Sequence, residues 1–123
     1  MKRITREFLR THPNIIFVYG DNYLRIGLGG GASLRGEPNT YGFITKKKPS
    51  DEDNAFFKPD EYVPIYKYEI AKLRQHIKSR PQNLFLISKL GSGLANRYRI
   101  FEYVIEPHIK NDLLDLENVR FLW

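Results

Sequence analysis

Cysteine is absent from the chain, which excludes disulfide staples and thiolate metal sites. Long apolar runs are absent too. No stretch approaches the roughly 20 residues that cross a bilayer, so no membrane partner is expected. The opening residues, Met-Lys-Arg-Ile-Thr-Arg-Glu, lack the apolar core of a signal peptide, and a cytoplasmic protein is the expectation. His12, His76 and His108 fall on separate elements with no ligand spacing, so neither a metal nor a cofactor is assigned. There is no internal repeat and no low-complexity segment. Acids are outnumbered: 20 Lys and Arg against 14 Asp and Glu leave a net charge of +6. That balance favours anionic partners such as nucleotides, phosphates or nucleic acid and says nothing about fold.

What is present fits one globular domain over residues 1–123. A chain of 123 residues buries one core, and a 41% hydrophobic, 14% aromatic composition argues for packing over disorder. Ile4 to Arg10 is a short amphipathic helix ended by His12-Pro13, because the residue before proline avoids the helical region. Ile15 to Tyr19 reads as a buried strand. A helix of about two turns is expected through Arg35, with Ala32, Ser33 and Leu34 in its first turn, and a turn at Gly36-Glu-Pro-Asn39. Tyr41 to Thr45 is a second strand. After a polar loop, Phe56 and Phe57 either anchor the loop to the core or form a lid over a flat ligand. Pro64 suits a first helical position, and Tyr66, Ile70, Leu73 and Ile77 make one apolar stripe. Leu84 to Ser88 reads as a strand covered on both faces. Arg97 to about Asp115 is a helix broken or kinked at Pro107, and Val119 to Trp123 closes as a short strand. Alternation of strands and helices implies an α/β three-layer sandwich around a mostly parallel, mixed sheet.

Two glycine turns carry the candidate chemistry. After the first strand, Asp21, Asn22 and Arg25 lead into Gly27, Gly29, Gly30 and Gly31, followed by Ala32. After the third strand come Gly91, Ser92, Gly93 and Leu94. A strand ending in polar residues, glycines and a helix start exposes backbone N–H groups to an anion. The plainer reading is that the glycines only let elements pack closely. In an open α/β sheet ligands sit at the carboxyl ends of strands, where Asp21, Thr45 with Lys46, and Gly91 would gather. Arg25, Lys46 and Arg97 either add charge there or are solvated surface residues.

The order Arg25-x-Gly-x-Gly-Gly-x-Ala32, then Phe43-Ile-Thr-Lys-Lys47, then Leu90-Gly-Ser-Gly-Leu94 resembles the macrodomain fold. It is most similar to the branch holding the terminal ADP-ribose protein glycohydrolase, and Pro64-Ile-Tyr66 resembles that branch's helix start. The resemblance spans roughly residues 15–123 and implies a truncated macrodomain. It implies binding of ADP-ribose or a related NAD-derived nucleotide, free or on an ADP-ribosylated macromolecule. Asn22, Arg25, Gly27, Gly29, Gly30, Gly31, Ala32, Thr45, Gly91, Ser92, Gly93 and Leu94 would be the ligand-binding set. In that branch a lysine attacks the anomeric carbon, and Lys46 falls on its position. An amine nucleophile needs a depressed pKa, and Lys47 and Lys48 are the cations at hand. Ala95 stands where the branch carries its catalytic aspartate, so the two-residue mechanism does not carry over. The strand that recognises adenine in macrodomains has no counterpart here, and Phe56, Phe57 or Tyr62 would supply stacking instead.

Asp21, at a strand end beside the first glycine loop, is the candidate acid or base that replaces the missing aspartate. Glu37 and Asn39 flank a proline turn and are read as turn or cap residues. The rival class is a basic module for nucleic acid or a protein partner without catalysis. It rests on Lys46 to Lys48 and on Arg97-Tyr-Arg99, basic residues with aromatic neighbours that suit a single strand.

Overall fold

The computed structural model describes residues 3–123; Met1 and Lys2, where the segment read for a leader begins, lie outside the described residues. Four strands form one sheet: β1 Ile15–Asn22, β2 Thr40–Lys46, β3 Leu84–Ile87 and β4 Val119–Phe121, in the order β2-β1-β3-β4. All three pairings are parallel, so the sheet expected to be mostly parallel is wholly so. Pleating sends alternate side chains of β1 to opposite faces. Ile16 and Val18 join the larger core, while Ile15, Phe17 and Tyr19 join a second cluster on the other face. Burial on both faces is what the unbroken apolar runs of β1 and β3 require.

The larger core lies between the sheet, helix α2 (Pro59–Lys78) and the C-terminal segment. Helix α2 starts a turn earlier than the sequence suggests. Pro59 takes its first position, the Glu61 carboxylate accepts from the Lys58 amide at 2.9 Å, and the Glu61 amide donates to Asp60 Oδ1 at 3.0 Å. Pro64 therefore sits inside the helix, where it forfeits one bond to the exposed Asp60 carbonyl near the solvent-facing start. The buried stripe gains Tyr62 and Glu69 beside Tyr66, Ile70, Leu73 and Ile77.

The helix expected over 97–115 is broken at Pro107, one of the two outcomes expected there, into a single π-helical turn, Phe101–Ile105, and the short α3, Ile109–Asp112. Pro107 lacks the N–H that would continue the ladder. Ile100, Phe101, Val104 and Ile105 nevertheless all point inward. On the second face, α1 (Arg6–Thr11) and one 3₁₀ turn, Gly30–Leu34, make a thinner layer in place of the expected two-turn helix. Asn39 Nδ2 donates to the carbonyls of Leu9, His12 and Ile15 at 2.9, 3.2 and 3.0 Å, and Glu37 holds Arg6 and Arg10, so both have structural jobs.

Side chains close the outer edge of β2, which otherwise presents unpaired amides. Ile44 donates to Glu69 Oε1 at 2.7 Å and accepts from the Tyr62 hydroxyl at 2.6 Å, while Gly42 O accepts from Arg25 at 3.3 Å.

Arg74 ties α2 to the C-terminal segment, forking onto Asp115 at 2.7 and 2.9 Å. That fork holds the Asp115 carboxyl down at about 2, below its ordinary 3.8. A depressed carboxylate stabilises the fold above its unfolded pKa and loses that contribution as pH falls through the folded one. Thermal melts of wild type and Asp115→Asn are therefore expected to differ by a constant amount at neutral pH. The two curves should converge between the unfolded and folded values of 3.8 and about 2.

No helix among the described residues is long and apolar enough to cross a membrane.

Candidate functional site

In the strand order β2-β1-β3-β4 the chain leaves β1 toward one side of the sheet and β3 toward the other. The carboxyl ends of β1 and β3 thus flank a topological switch point, where open parallel sheets have their crevice. The two loops that leave those ends are the two glycine loops. They face one another across a cleft of about 640 Å³ lined by Gly27, Gly29 and Gly31 on one side and Gly91, Ser92, Gly93 and Leu94 on the other. Gly20, Asn22, Thr45 and Lys46 line it from the strand ends, and Ala32 and Ala95 also face it. At one point the lips touch: a Cβ placed on Gly30 would lie 2.7 Å from Leu94 Cδ1.

Three glycines are required by geometry. Gly27 and Gly30 adopt φ of +91 and +54 and Gly91 adopts +78, values in the left-handed region that other residues rarely occupy. Among the described residues, the amides of Gly27, Gly29, Gly31, Gly91 and Gly93 donate to no backbone acceptor. They are therefore available at a cleft whose carboxylates, Asp21 and Asp51, come from the strand end and the 47–55 loop rather than from the glycine lips.

Several expected site residues have other partners. Asp21 is buried with its carboxylate against Arg35, at 3.0 Å from Nη1 to Oδ2, and it also accepts from the Asn22 amide at 2.8 Å. It lines the cleft with its carboxylate engaged by these donors. Arg25 does not line the cleft; its guanidinium reaches Gly42 O and lies 3.4 Å from Asp21. The Asn22 side chain braces its own loop, donating to Ile26 O at 2.9 Å and accepting from the Leu24 amide at 3.0 Å. Thr45 is buried, and its hydroxyl donates weakly to Asp21 O at 3.4 Å. Ser92 lines the cleft while its hydroxyl donates to Lys89 O at 2.6 Å.

Lys46 does stand at the cleft. Its ammonium donates to Ser50 O at 2.7 Å and lies 4.7 Å from the centre of the Phe56 ring. Burial lowers its pKa first and nearby Arg97 adds to that, while Asp51 pulls it back up. The two lysines expected to depress it are engaged elsewhere, Lys47 with Glu61 at 3.0 Å and Lys48 with Glu52 at 2.9 Å. The same pairings neutralise much of the lysine run on which a nucleic-acid face was expected.

The aromatic pair divides. Phe57 and Tyr62 are core residues, unavailable for stacking on a ligand, whereas Phe56 lines the cleft. Arg97 also lies over the Phe56 ring, at 4.1 Å, and donates to Asp51 O at 2.9 Å. Phe57 thus anchors the loop to the core, while Phe56 is buried at the cleft wall beneath two cations. Of the cleft residues outside the glycine motifs, Ser50, Asp51 and Phe56 come from the loop 47–55 and its return. That loop is closed by the Lys47 amide on Ala55 O at 2.8 Å and a bridge between Lys46 and Phe56. Sequence patterning alone cannot reveal such a return, because no periodicity marks it. Among the described residues no group of three His, Asp or Glu side chains converges as metal ligands would.

No curated protein matches the chain, and no solved structure matches it. Residues 1–98 match a family described as "Family of unknown function (DUF7831)". The matched stretch contains every residue that lines the cleft, since the last of them is Ala95. With about four-fifths of its length inside that match, the chain belongs to the DUF7831 family.

Proposed function

We propose that this chain binds ADP-ribose or a related NAD-derived nucleotide, gripping the diphosphate between its two glycine loops. The observation that carries the reading is the meeting of those loops as opposite walls of one cleft at the switch point of a parallel sheet. A volume of about 640 Å³ suits a nucleotide-sized ligand. Left-handed glycines and unpartnered amides offer fixed partial positive charge to an anion. The macrodomain resemblance points to the same ligand class, and the net charge of +6 favours its approach. Lys46 contributes charge at the mouth. Binding is favoured over hydrolysis of an ADP-ribosyl bond, because Ala95 has no proton to transfer and the Lys46 ammonium is already donating to Ser50 O.

Calorimetry with ADP-ribose, NAD and AMP tests the proposal. ADP-ribose should bind and AMP should bind more weakly, since it offers one phosphate. Lys46→Ala should lower affinity by about tenfold, the worth of one exposed charge-assisted contact. Gly29→Asp is the sharper variant. Gly29 has φ −80 and ψ 151 and nothing within 4 Å of a Cβ, so the substitution leaves the fold intact and cap geometry suits aspartate. It sets a carboxylate in the phosphate site, and like charges so placed cost several kcal/mol, a loss of about a hundredfold or more. A wild type that ignores ADP-ribose while binding an oligonucleotide with steep salt dependence would instead establish the nucleic-acid class.

A further inference from the structure

The Arg35 guanidinium does not line the cleft, yet it is the most fully bonded side chain near it. Nε donates to Gly27 O at 2.9 Å and Nη2 to Ile26 O at 3.2 Å. Nη1 and Nη2 fork onto the two oxygens of Asp21, with Nη1 also 3.5 Å from the Tyr19 hydroxyl. The guanidinium carbon lies 5.7 Å from the centre of the Tyr19 ring, and the side chain is 18% exposed. Asn22 Nδ2 donates to the same Ile26 carbonyl at 2.9 Å.

A trans peptide unit is planar, with its C=O and N–H pointing in opposite directions. Two consecutive carbonyls, those of Ile26 and Gly27, are turned inward to Arg35. The N–H groups of the same two peptide units, on Gly27 and Leu28, are therefore turned away from it. Gly27 lines the cleft, and neither amide has a partner among the described residues. We infer that Arg35, held by Asp21, is a positioning residue that fixes these two peptide planes so that the Gly27 and Leu28 amides face a phosphate of the ligand. Only a planar fork with donors on both sides can hold a carboxylate and two loop carbonyls together, which a lysine cannot do. The inference rests on the nucleotide reading above and adds to it a device set behind the loop. It also explains why Asp21 is buried at a strand end: it orients the guanidinium.

Amide NMR titration of the ¹⁵N-labelled protein with inorganic pyrophosphate and with ADP-ribose tests this, alongside Arg35→Ala with and without added guanidinium chloride. In wild type the Gly27 and Leu28 amide protons should move downfield together with those of Gly91 and Gly93. Arg35→Ala should lose the Gly27 and Leu28 response, and affinity should fall by about tenfold or more, the worth of one or two charge-assisted contacts. Guanidinium at tens of millimolar should restore both, and sodium chloride at equal ionic strength should not. A merely structural arginine would not give that selective rescue. The wild-type titration alone decides the matter if the variant does not fold. If Gly91 and Gly93 respond while Gly27 and Leu28 stay still, the clamp is overturned and the nucleotide reading stands. If no glycine-loop amide responds, both fall. An Arg35→Ala protein with unchanged amide shifts and affinity also overturns the clamp.

Discussion

Asp21→Asn is expected to destabilise the protein by about 3 kcal/mol, the range found when one member of a buried ion pair is removed, discounted for the partial exposure of Arg35. The Asp21 side chain is 1% exposed and that of Arg35 18%. Asparagine has nearly the same shape, so no cavity is opened and packing contributes little. What changes is polarity. The carboxylate accepts from Arg35 on both oxygens, from the Asn22 amide and, at 3.4 Å, from Arg25. Asparagine replaces one acceptor with an NH₂ that faces donors, leaving a partly buried guanidinium without its counter-charge. For a domain of this size that cost corresponds to a fall in thermal midpoint of about 10 °C. Urea unfolding at unchanged m-value measures it directly. Adding Arg35→Met to Asp21→Asn should recover part of the loss, because the orphaned charge then disappears as well. Equal stability of Asp21→Asn and wild type, combined with abolished turnover, would return Asp21 to the acid–base role that its position at a strand end suggests.

The pairing of Asp21 with Arg35 and the turning of Arg25 away from the cleft have the same physical origin. A sequence reports which residues stand next to a glycine loop but not on which side of the strand they emerge. Asp21 follows Tyr19 on the face of β1 that packs the second cluster, and its counter-ion Arg35 is 14 residues away. No local pattern links them. The glycine loops were legible because positive φ and close backbone approach leave few alternatives to glycine, and because strand ends in a parallel sheet converge. The core stripes of α2 and β3 were legible through periodicity. Failures clustered where one residue outweighs a pattern. Pro59 with Glu61 starts α2 ahead of Pro64, whereas the interruption at Pro107 is legible from the proline itself. The Phe56–Phe57 pair was left open between anchor and ligand contact, and adjacent residues in extended chain do point opposite ways. Nothing in the sequence marks Arg35, because a cation at the end of a short helical turn resembles any solvated arginine.

Gly91→Ala carries the other large effect, and it concerns the second lip of the cleft. Gly91 has φ +78, and an added Cβ would lie 2.7 Å from Ile105 Cδ1 and 3.6 Å from Ile100 Cδ1. The left-handed backbone costs alanine about 1–2 kcal/mol. Overpacking adds about 1–3 kcal/mol, because Ile100 and Ile105 are fully buried and have little room to retreat. A destabilisation of about 3 kcal/mol is the expected sum. Gly93→Ala is the matched control: its φ is not left-handed and nothing lies within 4 Å of its Cβ, so its effect should stay within about 0.5 kcal/mol. The two causes at Gly91 separate in a double-mutant cycle. Ile105→Val removes the methyl that meets the new Cβ, at an intrinsic cost of about 1 kcal/mol. In that background Gly91→Ala should cost only the backbone strain, so the pair should couple by about 1 kcal/mol or more in the favourable direction. Denaturant unfolding of the four proteins measures this. Additivity within experimental error would mean that Ile105 does not back the loop. The coupling matters beyond stability, since Ile105 lies outside the stretch matched by the family, residues 1–98. It would make the C-terminal π-helical turn the wall on which one lip of the cleft is built, so that changes in residues far from any ligand alter the spacing of the two glycine loops.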